Sequence, residues 1–91
     1  MLTIGEYHRY KSNMSEADYN KRLGDSFLRS ASPRYKVAKT YYTKAEELFN
    51  KAATIASIYA EKELKEKATK EMHDCREKLA ICNEQIAAPV Q

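Results

Sequence analysis

The chain has 91 residues, 43% of them hydrophobic and 32% charged, with a formal net charge of +3. A chain of that length suits a single domain with a thin stability margin, because it buries only about 60% of its unfolded surface. Two glycines and two prolines are too few for a turn-rich all-β fold; no run of about 18 apolar residues could span a membrane, and Met1 to Lys11 hold no apolar signal-peptide core.

Residues 1–14 read as an N-terminal tail. Within them Tyr7, His8, Arg9, Tyr10 and Lys11 form a basic–aromatic cluster. Such clusters stack on nucleic acid or, the preferred reading here, fold over a core as part of a tail. A helix signature opens at Ser15, where Ser15-Glu16-Ala17-Asp18 has the form of a capping box. Ala17, Leu23, Phe27, Leu28 and Ala31 carry an apolar stripe onward and predict a first helix over 15–31. Gly24 interrupts that helix at a cost of up to about 1 kcal/mol against Ala, and such a glycine marks close approach by a neighbouring helix. Ser32-Pro33 is the sharpest punctuation in the chain. Pro33 removes a backbone donor and disfavours a helical residue before it, yet suits the first position of a new helix with Ser32 as N-cap. The short link predicts antiparallel packing of the two helices it joins.

The second helix is the most regular stretch. Tyr35, Ala38, Tyr42, Ala45, Phe49 and Ala52 recur at steps of three and four and so share one helix face. They alternate a ring with a methyl group, a pattern of ridges and hollows that lets another helix approach closely. A further row, Tyr41, Leu48 and Ile55, repeats every seven residues; it is either the second half of a core or a groove lined for an incoming helix. Residues 21–51 hold eight basic and three acidic side chains, an excess that attracts acidic surfaces or nucleic acid or is simply a solvated face.

From Arg34 to Ala88 there is no glycine or proline. A third row, Ala68, Met72, Cys75, Leu79, Cys82 and Ile86, is out of phase with the first. The break near residues 57–63 fits a chain reversal, with Ser57 or Thr54 as a cap, or one long helix with a stutter. Domain size favours reversal, since an unbroken helix over this stretch would span about 80 Å. The expected fold is therefore all-α, a three-helix antiparallel bundle over 15–88 with helices near 15–31, 33–56 and 60–87, followed by a C-terminal tail at 89–91.

Reaction centres are not legible. Gly24-Asp25-Ser26 resembles the serine element of one hydrolase class, and Asp25-Ser26-Phe27 the phosphopantetheine serine of acyl carrier proteins. The first needs a base and oxyanion donors on an α/β scaffold; the second belongs to acidic domains, whereas this segment is basic. A Glu-x-x-His pair that would hold two metals in a bundle fails at both His8 and His73. Arg22, Arg29, Arg34 and Arg76 do not interrupt the apolar rows, so no buried guanidinium cluster of the chorismate mutase kind is implied. Cys75 and Cys82, seven apart on one helix, lie about 10 Å from each other, too far for a disulfide. Reduced cysteines point to a cytoplasmic setting. Glu61–Lys65, Glu63–Lys67 and Glu66–Lys70 are i, i+4 pairs of a solvated face. The expectation is no enzyme, no cofactor and no metal.

Tyr35-x-x-Ala38-x-x-x-Tyr42-x-x-Ala45 resembles the second helix of a tetratricopeptide repeat, and Leu23-Gly24-x-x-Phe27 its first-helix element. No second copy follows, so an array is not supported. The same spacing resembles MIT (microtubule-interacting and transport) domains, three-helix modules similar to one repeat hairpin plus a third helix. That resemblance, over about residues 15–87, implies recognition of a peptide or helical segment of a partner protein in an inter-helix groove, a role linked to protein transport. Helix-in-groove binding uses apolar anchors flanked by charge. Mapped on this chain, the implied contacts are Leu48 and Ile55 on the second helix and Met72 and Ile81 on the third, with Lys44 and Lys51 facing acidic partner residues. If so, serine at Leu48 and Ile55 abolishes binding and leaves a folded monomer; if they are core, helical content is lost. The alternatives are a coiled-coil homodimer built on a long 34–88 helix, and a nucleic-acid-binding bundle using the 21–51 bases, recognisable by a steep salt dependence.

Overall fold

A computed structural model describes residues 1–88 of the chain; the expected tail at 89–91 lies outside the described residues. Three helices make up the fold: α1 (Ile4–Leu28), α2 (Tyr35–Ile58) and α3 (Lys62–Ala87). There is no strand among the described residues. Successive helices run antiparallel and α2 packs along both neighbours, while α1 and α3, parallel to each other, meet chiefly through side chains. The result is a slender all-α bundle with Cα extents of 55 × 17 × 15 Å.

Helix α1 begins about three turns before Ser15, so residues 4–14 are helix rather than tail. The cap is Thr3: its backbone is extended and its hydroxyl accepts the Glu6 N–H at 3.1 Å. Thr3-Ile4-Gly5-Glu6 is thus the capping sequence, and Ser15 lies exposed in mid-helix. Tyr10, read in the sequence as part of a tail cluster, is buried, and its hydroxyl donates to the Leu64 carbonyl at 2.8 Å. The tail reading failed because Tyr10, Met14, Ala17, Lys21 and Gly24 form one face whose fourth member is charged.

The joint between α1 and α2 is longer than expected. The first helix stops at Leu28 and the second starts at Tyr35, with Arg34 rather than Ser32 at the N-cap and no side-chain cap bond. The Arg34 N–H reaches back to the Phe27 carbonyl at 3.2 Å and closes the loop.

The aromatic–small row of α2 is core. Ala38, Ala45 and Ala52 are fully buried beside Tyr42 and Phe49, while Tyr35 at the helix start is half-buried. Gly24 is the hollow for one of these rings: a Cβ there would stand 2.8 Å from the Tyr42 ring. Tyr41 stacks on Phe27, centroids 5.6 Å apart and planes 7° off parallel.

The chain does reverse within the predicted 57–63 window, so the single long helix does not form. Neither Thr54 nor Ser57 caps the turn by its side chain; both lie inside α2, and the Thr54 hydroxyl donates to the Asn50 carbonyl at 2.9 Å. The turn is a Schellman motif, in which the Glu61 N–H bonds the Ala56 carbonyl at 2.8 Å and the Ala60 N–H bonds that of Ser57 at 3.2 Å. The residue in the left-handed position, usually glycine, is Ala60 with φ 57°. From there α3 lays Ala68, Met72, Cys75 and Cys82 into the core.

Candidate functional site

The three long seams of the bundle differ in how they are closed. The seam between α1 and α3 is locked by charge. Lys21, largely buried, donates to Glu71 at 2.8 Å and to Asp74 at 2.7 Å. One turn on, Asp25 accepts the Tyr42 hydroxyl and the Lys78 ammonium, the latter at 3.1 Å, so one carboxylate joins all three helices. The Lys21 and Lys78 ion pairs and the Tyr10–Leu64 bond each span 50 to 54 residues, the constant offset of two parallel helices in register.

The charges are tuned accordingly. Burial opposes the charge on Lys21, but its bonds to Asp74 and Glu71 prevail and hold its pKa well above the ordinary lysine range. The Lys21 bond lowers Asp74 in turn. Burial would raise the Asp25 carboxyl, yet the bonds from Tyr42 and Lys78 with the nearby lysine charges bring it below its usual value. Burial first and the Asp25 carboxylate second push the Tyr42 phenol upward.

The outer seam between α2 and α3 is crossed by Arg76 and Glu46 at 3.4 Å. The outer seam between α1 and α2 is open over its half nearest the α2–α3 turn. There a groove of about 660 Å³ is walled by Glu6, Arg9 and Asn13 of α1 and by Asn50, Lys51, Thr54 and Ile58 of α2, with Ile55 among its lining residues. Ile58 is 71% exposed. Glu6, the acid of the groove, is paired with Arg9 at 3.1 Å. Lys51 has no ion-pair partner among the described residues, so the rim is left basic.

Six residues were singled out from sequence as partner contacts, and the fold separates them. Leu48 (9% exposed) and Met72 (8%) meet in the middle of the core with Ala17, Phe49 and Cys75. Both are therefore structural and offer no free face to a ligand. Ile55 (7%) packs in the neighbouring core cluster with Tyr10 and Ala56 and touches the groove only as its floor. Lys51 stands on the groove rim above it. Lys44 is exposed on α2 beside Thr40 and Tyr41 in a separate shallow depression. Ile81 is 46% exposed on α3, three residues beyond Lys78 and outside the groove. The fold brings Lys51 and Ile55 to one place and leaves the other four elsewhere. The α1 wall was missed because residues 1–14 read as tail. Two signals could have found it: the Thr3-x-x-Glu6 cap, and the Tyr10, Met14, Ala17 spacing that continues the helix upstream.

The other sequence motifs resolve into structure. Asp25 of the Gly-Asp-Ser element is the carboxylate of the three-helix junction, and Ser26 faces solvent. Cys75 and Cys82 are free thiols in the core, and burial pushes the Cys75 thiol up to about 12. A thiol held protonated in this way is a poor nucleophile. Among the described residues no three His, Cys, Asp or Glu side chains gather as they would around a metal ion, and no helix is long and apolar enough to cross a membrane. Comparison with protein-family models, with curated proteins and with solved structures finds no match to this chain.

Proposed function

We propose that this chain is a non-enzymatic protein-interaction module that receives a peptide or helical segment of a partner protein in the groove between α1 and α2. The observation that carries the reading is the contrast between seams: two are crossed by ion pairs, whereas the α1–α2 seam is crossed by none among the described residues and opens into a groove of about 660 Å³, with Ile55 at its floor, Lys51 unpaired on its rim and Ile58 exposed. A helical segment with one or two large apolar side chains would set them against Ile55 and Ile58 and turn an acidic flank toward Lys51 and Arg9. The MIT and tetratricopeptide resemblance of α1 and α2 supports the same kind of role, in which a helical hairpin is the receptor and transport of other proteins the setting. The two reduced, buried cysteines fit a cytoplasmic location.

A photo-crosslinking amino acid at Lys51, compared with one at the exposed Glu77 on α3, tests this reading in cell extract. The expected result is a discrete peptide adduct at position 51, none at 77, and loss of the adduct when Ile58→Ser is added. Ile58 is exposed, so that substitution changes stability by only about 0.5 kcal/mol or less. Capture of the same peptide at 77 but not at 51, or capture indifferent to Ile58→Ser, would remove the groove from consideration.

A further inference from the structure

The α1–α2 linker, residues 29–34, lies at the opposite end of the bundle from the groove, and every residue in it is exposed. It contains Ser32, the one serine or threonine of the chain that is followed by proline. The Ser32 carbonyl accepts the Ser30 hydroxyl at 2.8 Å, while its own hydroxyl has no hydrogen-bond partner among the described residues. Pro33 has no N–H to give and disfavours a helical Ser32, which keeps that hydroxyl out of both helices. The surroundings are basic: Arg29 precedes it by three residues, and Arg34 and Lys36 follow by two and four.

The start of α2 adds an electrostatic reason. Arg34 at its N-cap offers no side-chain acceptor, and its first turn contains no acid. The free N–H groups and the positive end of the helix dipole therefore have only basic side chains beside them in the chain, Arg34 (its guanidinium 5.6 Å from the Phe27 ring centroid), Lys36 and Lys39, charges of the wrong sign for that end. A negative group placed here would relieve both deficits. Ser32 and its neighbours from Arg29 to Arg34 are exposed, so the hydroxyl is accessible to a kinase.

We propose that Ser32 is a phosphorylation site for a proline-directed protein kinase, and that the phosphate folds back against Arg29, Arg34 and the first turn of α2 and stabilises that turn. In the transfer step the Ser32 Oγ attacks the γ-phosphorus of a magnesium-bound nucleoside triphosphate held by the kinase. The Oγ–phosphorus bond forms and the bond from phosphorus to the β,γ-bridging oxygen breaks. The nucleoside diphosphate leaves, and the hydroxyl proton passes to the kinase's base. The product carries a charge of about −1.5 to −2 with strong acceptor oxygens, enough to reverse the sign of the linker.

The test uses the full chain, a proline-directed kinase and radiolabelled ATP. The expected result is one phosphate per chain, mapped to Ser32 by mass spectrometry, absent in Ser32→Ala and unchanged in Ser30→Ala. In the phosphorylated chain the amides of Tyr35 to Lys39 should exchange about two- to fivefold more slowly than in the unmodified chain, and Arg34→Gln should erase part of that gain. No incorporation, or equal labelling of Ser32→Ala, overturns the site. Unchanged exchange in a chain shown to be phosphorylated at Ser32 overturns the docking of the phosphate on α2.

Discussion

At Gly24 a methyl group has no room, and at Ala60 a methyl group is held where the backbone resists it. The Tyr42 ring fills the space a Cβ would need at Gly24, while Ala60 takes the left-handed conformation that favours glycine. Intrinsic helix propensity predicts that Gly24→Ala stabilises by up to about 1 kcal/mol. Overpacking against a buried ring instead predicts a loss of about 1–3 kcal/mol. The left-handed strain at Ala60, about 1–2 kcal/mol, exceeds the extra chain entropy of glycine, about 0.5–1 kcal/mol. Ala60→Gly should therefore stabilise by roughly 0.5–1 kcal/mol. Urea denaturation of the two variants beside the parent checks both signs at once, and a stabilising Gly24→Ala would mean that α1 and α2 do not meet at Tyr42. The tight approach at Gly24 was legible, because a lone glycine in an apolar stripe has few other uses. The turn at Ala60 was not, because its motif lacks the glycine by which a Schellman turn is read.

The elements themselves were legible where a row of small and large residues was unbroken, as in α2 and the core face of α3. They were misread where a charge occupies an inward position. Lys21 stands on the core face of α1, and its partners Glu71 and Asp74 lie 50 and 53 residues further along the chain; no local pattern announces them. The same seam gives the bundle a pH range. Asp25 and Asp74 have lowered carboxyl pKa values in the fold, so the stability they contribute is present above about pH 4 and is lost as pH falls through those lowered values. Lys21 and Tyr42 are raised, so theirs is present below about pH 10 and is lost as pH climbs toward the raised values. Thermal midpoints followed by circular dichroism from pH 2 to 11 should show a plateau near neutrality with a fall on both sides. Lys21→Met should make the acid limb shallower, since Asp74 then loses the hydrogen bond and charge that chiefly lower it. A midpoint that rises below pH 4 would contradict the ion pairs across this seam.

For the whole molecule, the reversal at Ala60 decides between a bundle and a rod. Three helices of 24 to 26 residues, each about 36–39 Å long, lie side by side within a molecule 55 Å in its longest extent, against about 80 Å for an unbroken helix from Arg34 onward. Small-angle scattering should give a longest dimension near that of the bundle and the mass of one 10.5 kDa chain. A length of 80 Å with a doubled mass would restore the coiled-coil dimer. Bundle and helix order were readable from the Pro33 break and the change of phase between the rows. The groove was only half readable, because its α2 wall lies on a strong pattern and its α1 wall on a weak one.

The parallel seam also bears on how the molecule comes together and comes apart in time. The Asp25–Tyr42 contact closes a stretch of 17 residues, whereas the seam contacts of Tyr10, Lys21 and Lys78 close 50 to 54. Loop entropy and the sharing of α2 by both hairpins place the seam after them in the order of assembly. Contacts made after the rate-limiting step act on the rate of opening and leave the rate of closing alone. Lys21 and its two acids are in that sense a brake on unfolding.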